Sequence, residues 1–128
     1  MTRLIIDSYA WIEYLEGSSK GSRVQDRLEE VDDAYTPTPV LAEVVSKVLR
    51  AGRDAAMAWQ ALRAWSQVLP LDAETARAAG GLHAEYRRRI SDFALTDAVV
   101  LAFSRKLGAT ILTGDPHFRG IRGVEFLV

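Results

Sequence analysis

Thr96-Asp97-Ala98-Val99-Val100-Leu101-Ala102-Phe103-Ser104-Arg105-Lys106-Leu107-Gly108 runs straight into Ala109-Thr110-Ile111-Leu112-Thr113-Gly114-Asp115-Pro116. From Ala98 to Phe103 this stretch is apolar nearly all round, the pattern of a central, buried helix. Thr96-Asp97 opens that helix and Gly108 stops it. Ala109–Thr113 then reads as a strand, and Gly114-Asp115-Pro116 as the turn that follows it.

The same grammar appears at the other end of the chain. Leu4-Ile5-Ile6 is a short apolar run with β-branched residues, a buried strand, and it ends at Asp7-Ser8. A helix follows through Trp11, Tyr14 and Leu15 to near Gly17, and Gly17 to Gly21 reads as a loop. Val24, Leu28 and Val31 recur at helical spacing, and residues 32–36 read as a turn and a short strand. Thr38 caps the next helix, with Pro39 in its first turn. Its broad apolar stripe is Val40, Leu41, Val44, Val45, Val48 and Leu49, and Gly52 ends it. One more helix is predicted from about Asp54 to Val68. Another starts near Ala73, capped by Asp72, and runs towards Arg87-Arg88-Arg89. Residues 124–128 read as a final strand. Strands interspersed with helices predict an α/β sandwich with a parallel sheet, and such sheets bind ligands at the carboxyl ends of their strands.

Composition narrows the function. The 128 residues are 48% hydrophobic and 26% charged, which fits one domain spanning residues 1–128 with a sizeable core. There is no Cys, so a thiolate metal site and a disulfide framework are both excluded. Sixteen Lys and Arg stand against 17 Asp and Glu, a net charge of −1. Bulk positive charge therefore cannot attract nucleic acid, and any such contact must use a local patch or metal ions. No apolar run approaches the ~20 residues of a membrane helix, and Asp7 comes too early for a signal peptide. A soluble, cytoplasmic protein is expected.

Four acids fall in informative places. Asp7 directly follows the first strand, and Asp115 lies two residues past Thr113. Asp97 sits in the first turn of the apolar helix, and Glu43 lies inside the run Val40-Leu41-Ala42-Glu43-Val44-Val45. Each alone has an ordinary explanation. Asp7 and Asp97 could cap helices, Asp115 could form a turn, and Glu43 could face solvent at the edge of its stripe. All four, however, belong to elements able to meet at one sheet edge. No Lys is obviously placed to neutralise them, and like charges at close range need help to stay ionised. Carboxylate oxygens without thiolate or a His pair suit Mg²⁺ or Mn²⁺ rather than zinc, and such sites most often serve phosphate chemistry.

These motifs lead to a family. Asp7-Ser8 after an apolar strand, Ala42-Glu43 in a Val-rich helix, and Leu95-Thr96-Asp97-Ala98 at a helix start are three of them. Ile111-Leu112-Thr113-Gly114-Asp115-Pro116-His117-Phe118 before the last strand is the fourth. Together, in this order, they resemble the PIN domain over essentially the whole chain, in the short form of the VapC-like toxins of toxin–antitoxin pairs. The resemblance implies a three-layer α/β/α sandwich with a central, mainly parallel sheet. It implies a Mg²⁺- or Mn²⁺-dependent RNA endonuclease leaving 5′-phosphate and 3′-hydroxyl ends, a small antitoxin partner and a homodimer. It assigns the acidic metal site to Asp7, Glu43, Asp97 and Asp115, and the hydroxyl residues beside it to Ser8 and Thr113. Gly114 departs from the pattern, because the family usually has a basic residue there.

Other residues are weaker candidates. His83 falls in step with Ala76, Ala79, Tyr86 and Ile90 and is expected to pack. His117, near Asp115, is a candidate contact for RNA or antitoxin, as are Arg87, Arg88 and Arg89. That triplet is equally a solvated helix end offsetting the helix dipole. Asp92 reads as a cap or loop acid that could also hold water near the metal. Trp11, Tyr14, Trp59 and Trp65 sit on helical stripes and are expected mostly in the core. Two other functions use the same residues: a metal-dependent phosphohydrolase of small substrates, and a non-cleaving module that binds RNA or a partner.

Overall fold

Five short strands carry the architecture: β1 (Arg3–Ile6), β2 (Asp33–Pro37), β3 (Gln67–Leu69), β4 (Thr110–Thr113) and β5 (Val124–Phe126). In the computed structural model, which describes residues 1–128, they form one sheet in the order β3-β2-β1-β4-β5. Every pairing is parallel. Helices α1 (Ser8–Glu16), α2 (Ser19–Glu30), α3 (Thr38–Arg50), α4 (Ala55–Trp65), α5 (Ala73–Tyr86) and α6 (Leu95–Leu107) flank it. By the right-handed rule for parallel crossovers, this strand order puts the connections from β1 to β3 over one face of the sheet and the return from β3 to β4 over the other. The result is the expected three-layer α/β/α sandwich.

The central strands are buried on both faces, as continuous apolar runs in parallel sheets are. Leu4, Ile5, Ile6, Ile111 and Leu112 are fully buried, and α6 buries every residue from Asp97 to Ser104. Gly108 ends α6 in a left-handed conformation, as the sequence predicts. Trp11 is also fully buried, and its indole Nε1–H donates to the Thr36 hydroxyl at 3.1 Å. Trp59 and Trp65 are half-buried, and the large apolar residues left exposed are Met1, Leu49, Met57, Leu95 and Val128.

Four expectations need correction. The segment from Gly17 to Gly21 is mostly helix. The Ser18 hydroxyl caps α2 by accepting from the Gly21 N–H at 3.0 Å, so the connection from α1 is two residues long. Thr38 is the first residue of α3 rather than its cap, and its hydroxyl accepts from the Leu71 N–H instead. The apolar stripe of α3 is narrower than predicted, with Val40, Val44 and Val48 buried and Leu49 exposed. The helix predicted to reach Val68 stops at Trp65. Ser66 bonds back to the Leu62 carbonyl and the chain becomes edge strand β3, too short to show alternation in sequence.

Candidate functional site

The strand order reverses direction between β1 and β4, and a crevice at the carboxyl ends of two such strands is where open α/β sheets bind ligands. Asp7 leaves β1 at this point and Thr113 ends β4 beside it. Asp7 occupies the cap position of α1 yet makes no side-chain cap bond. Its Oδ2 accepts instead from the Thr113 hydroxyl at 2.7 Å. The same hydroxyl oxygen accepts from the Asp115 N–H at 3.0 Å. One Thr side chain thus fixes the carboxylate of β1 and the backbone of the loop after β4. Asp7 is only 2% exposed. Burial, reinforced by the charges of Asp97 and Asp115, pushes its carboxyl up to about 7 despite the bond from Thr113.

Glu43 comes to the same edge from α3, and its carboxyl is also raised by burial. The Ser8 hydroxyl and the Lys47 ammonium favour its charged form, while Asp97 and Asp115 oppose it. Lys47, one turn along α3, is the cation the sequence did not single out. Asp97 does cap α6, since its Oδ2 accepts from the Ala94 N–H at 2.8 Å. It is nonetheless coupled to the other acids. Burial raises its carboxyl, the bonds from Ala94 and His117 lower it, and the Asp115 charge raises it. Asp115 is half-buried and accepts from the His117 N–H at 2.9 Å, capping the short turn Pro116–Phe118.

His117 was placed only near Asp115 by the sequence. The structure seats its ring among three carboxylates. Nδ1 lies 2.8 Å from Asp97 Oδ2 and 3.5 Å from Asp115 Oδ1, and Nε2 lies 3.0 Å from Asp92 Oδ2. Burial opposes the charged ring, but the bonds to Asp92 and Asp97 outweigh it and raise its pKa. Arg87 lies close enough for its charge to favour ionised Asp92, the partner of His117. Arg89 stacks its guanidinium 4.8 Å from the Tyr86 ring centre. His83 packs as expected: its Nε2 is 2.9 Å from the Phe93 carbonyl and its ring stacks on Phe93.

The donor set fits a hard divalent cation. Ligand atoms of Asp97, Asp115 and His117 lie within 4.8 Å of one another. The charges of Asp97 and Asp115 act on Asp7 and on Glu43, that of Asp115 acts on Asp97, and Asp7, Glu43 and Asp97 are held above their ordinary range. Protons or a cation must balance such a cluster. Asp7 and Glu43 are not within 4.8 Å of that group, although both feel its charges, so the structure brings together two of the four acids named from the sequence and adds His117. The seat of His117 was not legible in the sequence, because it depends on how two loops meet.

The same fold recurs among solved structures. The chain is similar to a toxin–antitoxin complex from Klebsiella pneumoniae (TM-score 0.78, 19% identity, 98% of each chain covered). It is similar to VapC20 of Mycobacterium tuberculosis, described as a toxin that cleaves the sarcin–ricin loop (TM-score 0.79, 21% identity, 98% of this chain and 99% of that one). It also resembles DNA-bound VapBC from Salmonella typhimurium (TM-score 0.72, 15% identity, all of both chains). No curated protein matches it in sequence. The family model for the PIN domain matches residues 4–124, nearly the entire chain, and the protein therefore belongs to the PIN domain family.

Proposed function

We propose that this chain is a Mg²⁺- or Mn²⁺-dependent endoribonuclease, the toxin of a toxin–antitoxin pair acting in the cytoplasm. The observation that carries the reading is the group of Asp97, Asp115 and His117, whose ligand atoms lie within 4.8 Å of one another, with the Asp7 and Glu43 carboxyls near enough to feel the charges of Asp97 and Asp115. The four acids Asp7, Glu43, Asp97 and Asp115 would hold the cation. Bound there, it supplies Lewis-acid stabilisation of phosphoryl charge and lowers the pKa of water. Thr113 orients Asp7 and the Asp115 loop, and Ser8 favours ionised Glu43. His117 keeps Asp97 turned to one geometry. Arg87, Arg88 and Arg89 line the approach for RNA or for the antitoxin. The toxin–antitoxin complexes among its structural neighbours support a small protein partner for this chain, and we propose a homodimer from the resemblance of its motifs to the toxin family.

The test is cleavage of total RNA, and of a hairpin reproducing the sarcin–ricin loop, with a simple phosphate monoester assayed in parallel. RNA fragments with 5′-phosphate ends are expected in Mg²⁺ or Mn²⁺, with none in EDTA and no ester hydrolysis. Ester hydrolysis without RNA cleavage would make it a small-molecule phosphohydrolase. RNA binding without any cutting would make it a binding module.

A further inference from the structure

Tyr9 is the second residue of α1, two positions past Asp7. One edge of its ring lies beside Gly114, the residue between Thr113 and Asp115. A Cβ on Gly114 would stand 2.3 Å from Tyr9 Cε1, so a larger residue there would push the ring from its present place. Lys20, in the first turn of α2, donates from Nζ to the Tyr9 hydroxyl at 2.9 Å, with the ammonium 5.4 Å from the ring centre. This places a positive charge on the flank of the loop that carries Asp115. Lys20 takes part in none of the protein's ion pairs. An ammonium has three donors, and Tyr9 occupies one.

We propose that Lys20, seated by Tyr9 beside Gly114, grips a phosphate of the RNA backbone next to the scissile bond. The proposal rests on the ribonuclease reading above. A site of four carboxylates on a chain of net charge −1 repels a polyanion at long range. A cation beside it must be kept from collapsing onto those carboxylates if it is to meet a phosphate. The Tyr9 hydroxyl does this for Lys20 through a hydrogen bond, with the ammonium lying beyond the hydroxyl, near the plane of the ring. Two donors remain for phosphate oxygens, and no carboxylate has to be displaced when RNA arrives. A purely structural tie between α1 and α2 would need the same bond but not the open donors.

Fluorescence anisotropy with a short fluorescein-labelled single-stranded RNA of mixed sequence, in Ca²⁺, tests this on the whole protein. Lys20→Gln should raise the dissociation constant about 5- to 10-fold at low salt and shallow the salt dependence by the ~0.7 of one lost phosphate contact. Tyr9→Phe keeps the ring beside Gly114 and removes the anchor, so a rise of about 2- to 3-fold is expected. Lys20→Arg should bind within about two-fold of the parent. Unchanged affinity and salt slope in Lys20→Gln, while the parent binds RNA, would overturn the proposal and leave the ribonuclease reading standing. A parent that neither binds nor cleaves RNA would overturn both.

Discussion

Asp97→Asn is expected to lower the single-turnover rate of RNA cleavage by about 10³-fold or more while leaving the fold intact, because a weakened cation site loses both Lewis-acid and water-activating chemistry. The substitution is nearly isosteric. Its carbonyl oxygen can still accept from the Ala94 N–H, the bond that Asp97 makes from the third position of α6. What disappears is one negative charge at the point where Asp115 and His117 converge. Stability and activity therefore part company in this variant. A cap-only role for Asp97 predicts full cleavage, and rapid-quench assays beside a thermal melt separate the two outcomes.

Gly21→Ala should be the most damaging small change to the fold. A Cβ on Gly21 would lie 2.1 Å from the Glu13 carbonyl oxygen and 2.9 Å from Tyr14 Cα. Those are backbone atoms of α1, which cannot rotate away as a side chain can. The two helices must separate, and α1 is pinned by fully buried Trp11 and its bond to Thr36. Overpacking of this kind costs about 3 kcal/mol, a fall in Tm of roughly 10 °C for a chain of this size. A melting temperature within about 2 °C of the parent would show that the helices part without penalty.

Gly21 also shows where sequence reading ends. Gly-Ser-Ser-Lys-Gly looks like a loop because each residue favours turns, yet the second glycine serves a close helix crossing and Ser18 is a cap. Close approach between helices leaves no local mark. The acids were legible for the opposite reason. Asp7 ends a three-residue apolar run, Asp97 starts an apolar helix, and Asp115 follows a strand, so the topology alone brings them together. Glu43 stood out as a charge inside a Val-rich helix. The ring of His117 between Asp92 and Asp97, the Lys47 charge on Glu43 and the Tyr9–Lys20 seat all depend on side-chain directions between distant segments. β3 was hidden because three edge residues give no period.

The central claim, that these acids form one cation site, is tested most directly by thermal melts in EDTA and in Mn²⁺ from about pH 5 to about pH 8. Asp7 is raised to about 7 by burial, and burial raises Glu43 and Asp97 as well. Across this window the folded chain without cation holds protons that the unfolded chain has already released. Its stability must therefore fall as pH rises. Mn²⁺ competes with those protons, so its stabilising effect should be small near the acid end and grow steadily towards the alkaline end. A melting temperature in EDTA that does not fall with pH, together with no Mn²⁺ shift at any pH, would contradict the account.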